Sequence, residues 1–337
     1  MDTTTLENEQ LGRYGAAVIL KHADALQQEI DGVRLAEDIE CIHRMRVASR
    51  RLRNALDLFM IIFPTKKHRL FVSQVRRITQ ALGAARDLDV QIDLLARKDG
   101  AATEIKNHAG LRRLLLRLRQ NRIRKQASVL SALDRIEKKG AINQIREALQ
   151  PFQNEVEEPA PAQPVYSLAG ESILSRLDNF LSYELYIRSV ECVKELHEMR
   201  IAAKKLRYTL ETFAPLYVEN LRVPLATARA VQEILGGIHD CDVWIQTLPE
   251  FIEAERGRSI EYSGSDRIMK LLLPGMHYFQ RDRAGERDAL YSQFLELWDQ
   301  CKRDLIWENL SATVRKPMLT PAHVYPVPLF TISGSSE

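Results

Sequence analysis

The sequence is poor in most features that betray a function. Its four cysteines, Cys41, Cys192, Cys241 and Cys301, form no CxxC pair and no metal-type spacing, which excludes a disulfide scaffold and a zinc site. Aromatics make up only 7% of the residues, thin for a surface that stacks bases. No apolar run approaches the roughly 20 residues of a membrane span, and Met1 to Gln10 is polar and acidic, unlike a signal peptide. A phosphate-binding P-loop, GxSxG and HExxH are all missing. Proline and glycine are read as confined to boundaries, and no alternating strand series is found. The net charge is only +3. These absences predict a cytoplasmic, all-α chain with no membrane span, no metal and no cofactor.

Charge is present in abundance but segregated. From His43 to Arg53 there are five arginines and no acid, and from Lys106 to Lys125 eight Lys or Arg and no acid. Segregation of this kind puts a local positive field on a nearly neutral molecule.

The basic run occurs twice. His43-Arg44-Met45-Arg46 continues through Arg50-Arg51-Leu52-Arg53 to Leu56 and Phe59. His197-Glu198-Met199-Arg200 continues through Lys204-Lys205-Leu206-Arg207-Tyr208 to Leu210 and Phe213, 154 residues later. A second pair follows: Leu82-Gly83 to Asp87-Leu88-Asp89-Val90, and Leu235-Gly236 to Asp240-Cys241-Asp242-Val243. Two motifs, each repeated at near-equal separation, predict an internal duplication.

Helical periodicity is expected over 9–31, 36–62, 66–97 with a break near Gly83, 105–138 and 141–152, then 166–189, 191–213, 217–236, 240–255, 265–281 and 285–306. Pro64 and Pro215 are read as ending the two motif helices. The domain expectation is a first helical half at 9–152, a Pro-rich linker at 153–165, a second half at 166–310, and a Pro-containing tail at 311–337, extended or disordered from Pro317 onward. Two helical bundles, one per half, are the expected architecture.

On a helical wheel His43, Arg46, Arg50 and Arg53 fall within about 80° of one another, nearly opposite Met45, Leu52, Leu56 and Phe59. His197, Arg200, Lys204 and Arg207 repeat the stripe, with Tyr208 beside it. A solvated helix face normally interleaves Glu for i,i+4 pairing; these stripes do not, so an anion-binding face is favoured over ordinary surface. Arg76, Gln80, Gly83 and Asp87 share one helical line, as do Arg229, Glu233, Gly236 and Asp240. Glycine there permits close approach, and each Asp either caps a helix or holds an arginine. The Asp87/Asp89 and Asp240/Asp242 pairs are weak evidence for Mg²⁺, and no metal site is expected. Arg113, Arg117 and Arg124 oppose a leucine stripe, as a third basic wall or as plain surface.

Repeated Arg and Lys suit phosphate groups, and two such stripes suit a linear polyanion. Inorganic polyphosphate, nucleic acid or a highly phosphorylated small molecule all fit. Sparse aromatics and the lack of a reading module put nucleic acid second. Phosphohydrolase chemistry comes third, since His43 and His197 have no evident nucleophile or metal beside them.

The patterns HxxRVxxRRLRxxLxxF (His43 to Phe59), HxxRxxxKKLRYxLExF (His197 to Phe213), LGxxRDxDV and LGxxHDxDV resemble the signatures of the CHAD domain, the conserved histidine α-helical domain, over about residues 10–310. His239 stands where the first copy has Arg86. The resemblance implies two bundles related by pseudo-twofold symmetry, a basic central cavity that binds inorganic polyphosphate without enzymatic action, and association with polyphosphate granules. It carries binding roles onto His43, Arg46, Arg50, Arg51, Arg53, His197, Arg200, Lys204, Lys205, Arg207 and Tyr208, with Arg76, Arg113, Arg117 and Arg229 as additional candidate contacts. The ExExK signature of the CYTH domain often fused to this family is absent, because Glu155-Val156-Glu157 lacks the following Lys.

Overall fold

The structure is a computed structural model that describes residues 3–36, 38–153 and 163–319. Regular structure among them is entirely helical: α1 (Thr3–Gln28), α2 (Ile30–Leu35), α3 (Ile39–Leu58), α4 (Thr65–Ala101), α5 (Ile105–Lys138), α6 (Ala141–Leu149), α7 (Gln163–Leu181), α8 (Val193–Tyr217), α9 (Arg222–Ser263), α10 (Met269–Arg303) and α11 (Ile306–Leu319). None of these helices is long and apolar enough to cross a membrane.

Local chemistry sets several boundaries. The Asp38 carboxylate accepts the Glu40 N–H at 2.8 Å and so caps α3. Pro64 stands immediately before α4. Gly264, at φ 68°, ends α9 in the left-handed conformation and donates to the Ile260 carbonyl.

Several sequence expectations change. The helix expected to break near Gly83 runs unbroken as α4, and the two expected at 217–236 and 240–255 are one helix, α9, passing through Gly236 and Gly237. Pro215, Pro249 and Pro274 lie inside helices rather than at their ends. Pro164 sits in the first turn of α7, where a missing N–H costs nothing; residues 154–162 of the expected linker lie outside the described residues. Helix α11 occupies 306–319, so the expected tail is helical over its first residues; 320–337 lie outside the described residues.

The packing order repeats. Helix α1 lies on α3 as α7 lies on α8; α3 lies on α4 as α8 lies on α9; α4–α5 and α9–α10 are long hairpins; α6 meets α1 as α11 meets α7. The joins between the two sets pair counterparts: α1 with α7, α3 with α8, α5 with α10. One apolar core gathers residues such as Leu52, Phe59, Leu206, Phe213 and Trp298. A second, at the far ends of the hairpins, gathers Leu95, Leu111, Trp244, Leu248, Met276 and Phe279. Each core therefore draws on both halves of the chain, instead of one core per half. Helix length explains this: α4, α5, α9 and α10 run 37, 34, 42 and 35 residues, too long for one core to cover, so their distal stripes bury against each other.

The α5–α10 join depends on two glycines. A Cβ on Gly275 would lie 2.0 Å from the Asn107 carbonyl oxygen, and one on Gly110 would lie 2.2 Å from the Leu272 carbonyl oxygen. Both obstacles are backbone, which cannot swing aside. Gly275→Ala should therefore destabilise the protein by at least the ~1–3 kcal/mol typical of overpacking. Gly285→Ala, in the same helix with open space around it, should stabilise by about 0.5–1 kcal/mol. Urea unfolding of the two variants checks this; equal responses would contradict the close crossing.

Candidate anion-binding site

The stripes on α3 and α8 are oriented by what lies behind them. Met45, Leu52, Leu56 and Phe59 are fully buried, as are their counterparts Met199, Leu206, Leu210 and Phe213. Phe59 and Phe213 meet edge-on at 5.9 Å between ring centroids. With the apolar sides fixed in one core, the basic sides of the two helices close on a common space.

There the cations crowd one another. The guanidiniums of Arg50 on α3 and Arg207 on α8 both lie over the Tyr208 ring, at 5.2 and 4.9 Å from its centroid. Burial lowers the Arg50 pKa to about 10; Tyr208 opposes that shift, and Arg46, Arg207 and Arg200 reinforce it. Lys204 is pushed down to about 7, by burial first and then by Arg50, Arg200, Arg46 and Arg53. Burial likewise lowers Arg200, against the pull of Asp240 and Asp87. The Nε atoms of Arg53, Arg200 and Arg207, and Nδ1 of His43, are buried without a hydrogen-bond partner.

Few carboxylates answer this charge. Arg46 Nη2 donates to Asp87 Oδ1 at 3.4 Å, the second of the two roles, helix cap or arginine holder, expected for the first Asp of the DxD segment. Asp240 faces Arg200 and Asp87, and burial raises its pKa. Glu211, not singled out in the sequence, serves three arginines at once: Arg51 at 3.0 Å, Arg207 at 3.7 Å and Arg229 at 3.9 Å. Only its place inside the second motif, beside Phe213, hinted at it.

Two histidines form the rim in the second copy, and a histidine and an arginine in the first. His197 Nδ1 and His239 Nδ1 are 2.9 Å apart, and burial lowers both rings, His239 to about 4. In the first copy burial and then Arg86 lower His43, and Arg86 itself pairs with Glu40 at 3.6 Å.

The remaining candidates separate. Tyr208 is buried, 6% exposed, so it is a platform beneath two guanidiniums and not an open contact. Arg51 and Arg229 turn to Glu211. Lys205 and Arg76 are exposed, and neither has a carboxylate partner among the described residues. Arg113 and Arg117 leave the cluster altogether: both bond the buried Glu255, at 3.0 and 2.6 Å, beside the distal core. The second Asp of each DxD is structural too. Asp89 accepts from Arg122 Nε at 2.7 Å, and Asp242 accepts from Arg287. Among the described residues no group of three His, Cys, Asp or Glu side chains is gathered for a metal ion.

The CHAD domain family model matches residues 17–249, a span holding both copies of both signatures. The chain belongs to the CHAD family. Its fold is similar to the crystal structure of the CHAD domain from the plant Ricinus communis, with 22% identity, 91% of this chain and 92% of that chain covered, and a TM-score of 0.58. It is also similar to PptA from Streptomyces chartreusis, with 14% identity, 86% and 99% covered, and a TM-score of 0.54. No curated protein matches the chain significantly.

The DxD pairing makes a stability prediction. Arg122→Leu would strand the Asp89 carboxylate, 6% exposed, and should cost about 3–5 kcal/mol. Urea unfolding reads this directly, and a loss below about 1 kcal/mol would mean the pair holds nothing in place.

Proposed function

We propose that the protein binds inorganic polyphosphate between the basic faces of α3 and α8 and performs no chemistry on it. The observation that carries this reading is the set of buried arginine Nε groups without a hydrogen bond at Arg53, Arg200 and Arg207, the last with only a loose 3.7 Å contact to Glu211. Buried polar groups in native proteins are almost always bonded, so donors held ready without acceptors suit an anionic guest. Arg46, Arg50, Arg53, Arg200, Lys204 and Arg207 would grip successive phosphates through charge-assisted bonds, with His43 and His197 at the rim. The counterpart joins of α1 with α7 and α3 with α8 support a duplicated chain with pseudo-twofold symmetry, and the crowding of cations at the α3–α8 join supports a basic cavity there. A cytoplasmic location, at polyphosphate granules, accords with this ligand.

Nucleic acid is the weaker reading for a specific reason. Tyr208 is the aromatic ring among these cations, and it is buried beneath Arg50 and Arg207; no base can stack on it. Electrostatic gripping of phosphate alone favours a polymer without bases.

The test is competition between long-chain polyphosphate and single-stranded RNA at matched phosphate concentration, with orthophosphate release followed in the same tube. Polyphosphate should win without release, and its affinity should fall by about 10³ or more between 50 and 200 mM salt. Converting Arg50, Arg53, Lys204 and Arg207 to Glu should abolish binding with helicity retained. RNA winning, or metal-dependent phosphate release, would overturn the proposal.

A further inference from the structure

The two sides of the site are not chemically equal. Where the first copy carries Arg50 and Arg86, the second carries Lys204 and His239. Arginine keeps its charge at any ordinary pH, whereas lysine and histidine can surrender theirs. At these two positions the second copy thus carries groups able to lose a proton where the first carries arginines.

Resting on the polyphosphate reading above, we propose that ligand capture takes up a proton on Lys204 at neutral to alkaline pH, with the His197–His239 contact as a second acceptor at lower pH. Lys204 has no carboxylate partner among the described residues. It faces Arg46, Arg50 and Arg53 from α3 and Arg200 from its own helix, while Asp87 of α4 and Asp240 of α9 are turned to Arg46 and Arg200. Burial among those cations pushes it down to about 7, far below the usual lysine range, so the empty site favours the neutral amine. A phosphate chain inverts that local field and returns the ammonium to its favoured state.

The histidine contact works on the same principle. At 2.9 Å between Nδ1 atoms, with ring centroids 4.2 Å apart, one ring must donate and the other accept. Two imidazoliums would set N–H against N–H. The charges facing this pair are Arg200, Lys204 and Glu198 of α8, with Asp240 next along α9. An anion accepting from both rings opens the contact and lets the second proton in.

The sign follows from linkage. Lys204 is lowered in the empty protein and restored in the complex, so the complex holds more protons, and affinity falls as pH rises above 7. One coupled proton gives up to about tenfold per pH unit. Interior phosphoryl groups of a long chain are fully ionised throughout that window, so the ligand contributes no slope.

Titration calorimetry of the full chain with long-chain polyphosphate at about pH 6, 7, 8 and 9, at fixed ionic strength and in two buffers of different ionisation enthalpy, reads both quantities. The expected result is an affinity falling severalfold to about tenfold per unit, with uptake rising toward one proton. Lys204→Arg should flatten both. His239→Arg should keep the alkaline slope and lose only the extra uptake below about pH 6.5. Circular dichroism confirms that each variant is folded, and if Lys204→Arg is not, the wild-type uptake alone decides. Equal wild-type affinity at pH 7 and 9 without buffer-dependent heat, or an unchanged slope in Lys204→Arg, would overturn the inference while leaving polyphosphate binding intact. No binding at any pH would remove that reading, and this inference with it.

Discussion

Like charges are pressed together at the α3–α8 join, and the rest of the molecule is arranged to bear that repulsion. Burial, and then the charges of the neighbouring cations, lower the tendency of Arg50, Arg200 and Lys204 to stay charged. Such a cluster is unfavourable by itself. It persists because both helices are anchored from behind: Phe59 and Phe213 touch within a core that takes in Leu52, Leu206 and Trp298. Fully burying each large apolar side chain contributes about 1.5–3 kcal/mol, and the unpaired cations spend part of that stability on readiness for an anion.

The carboxylates refine this balance. Asp87 and Glu211 sit close enough to hold arginines in place, yet at distances of 3.4 to 3.9 Å the Arg46, Arg207 and Arg229 contacts are loose. The Arg122–Asp89 and Arg117–Glu255 pairs, at 2.7 and 2.6 Å, are tight. Glu211 keeps Arg51 close at 3.0 Å but holds Arg207 and Arg229 loosely, so a stronger acceptor can compete for those two guanidiniums.

The site was legible in the sequence where its cause is local. Met45, Leu52 and Phe59 at helical spacing place the α3 stripe opposite them, and the same holds for α8. What failed was whatever depends on a distant partner. Gly83 and Gly236 read as breaks because glycine weakens an isolated helix, but α4 continues with Gly83 facing Arg46, and α9 continues with Gly237 pressed toward Leu290. Arg113 and Arg117 read as a third basic wall or as plain surface because Glu255, their partner, lies far along the chain. Glu211 gathers Arg51 from the other half together with Arg207 and Arg229 of its own, and only the first of these needs a contact distant in sequence. Tyr208, placed correctly beside the stripe, is covered by the arginines it accompanies.

The same dependence on distant partners explains why both hairpins must be long. A short α4–α5 or α9–α10 hairpin would still carry the signature residues, but Gly110 and Gly275 meet at the far join, beside the core of Leu111, Met276 and Phe279. That second contact ties the two halves together at a point remote from the charge. With a join at each end, α3 and α8 cannot splay apart to relieve their repulsion, because opening one would strain the other. The cluster is thus held compressed by backbone contacts that carry no charge, and an anion arriving between the helices finds its donors already in position.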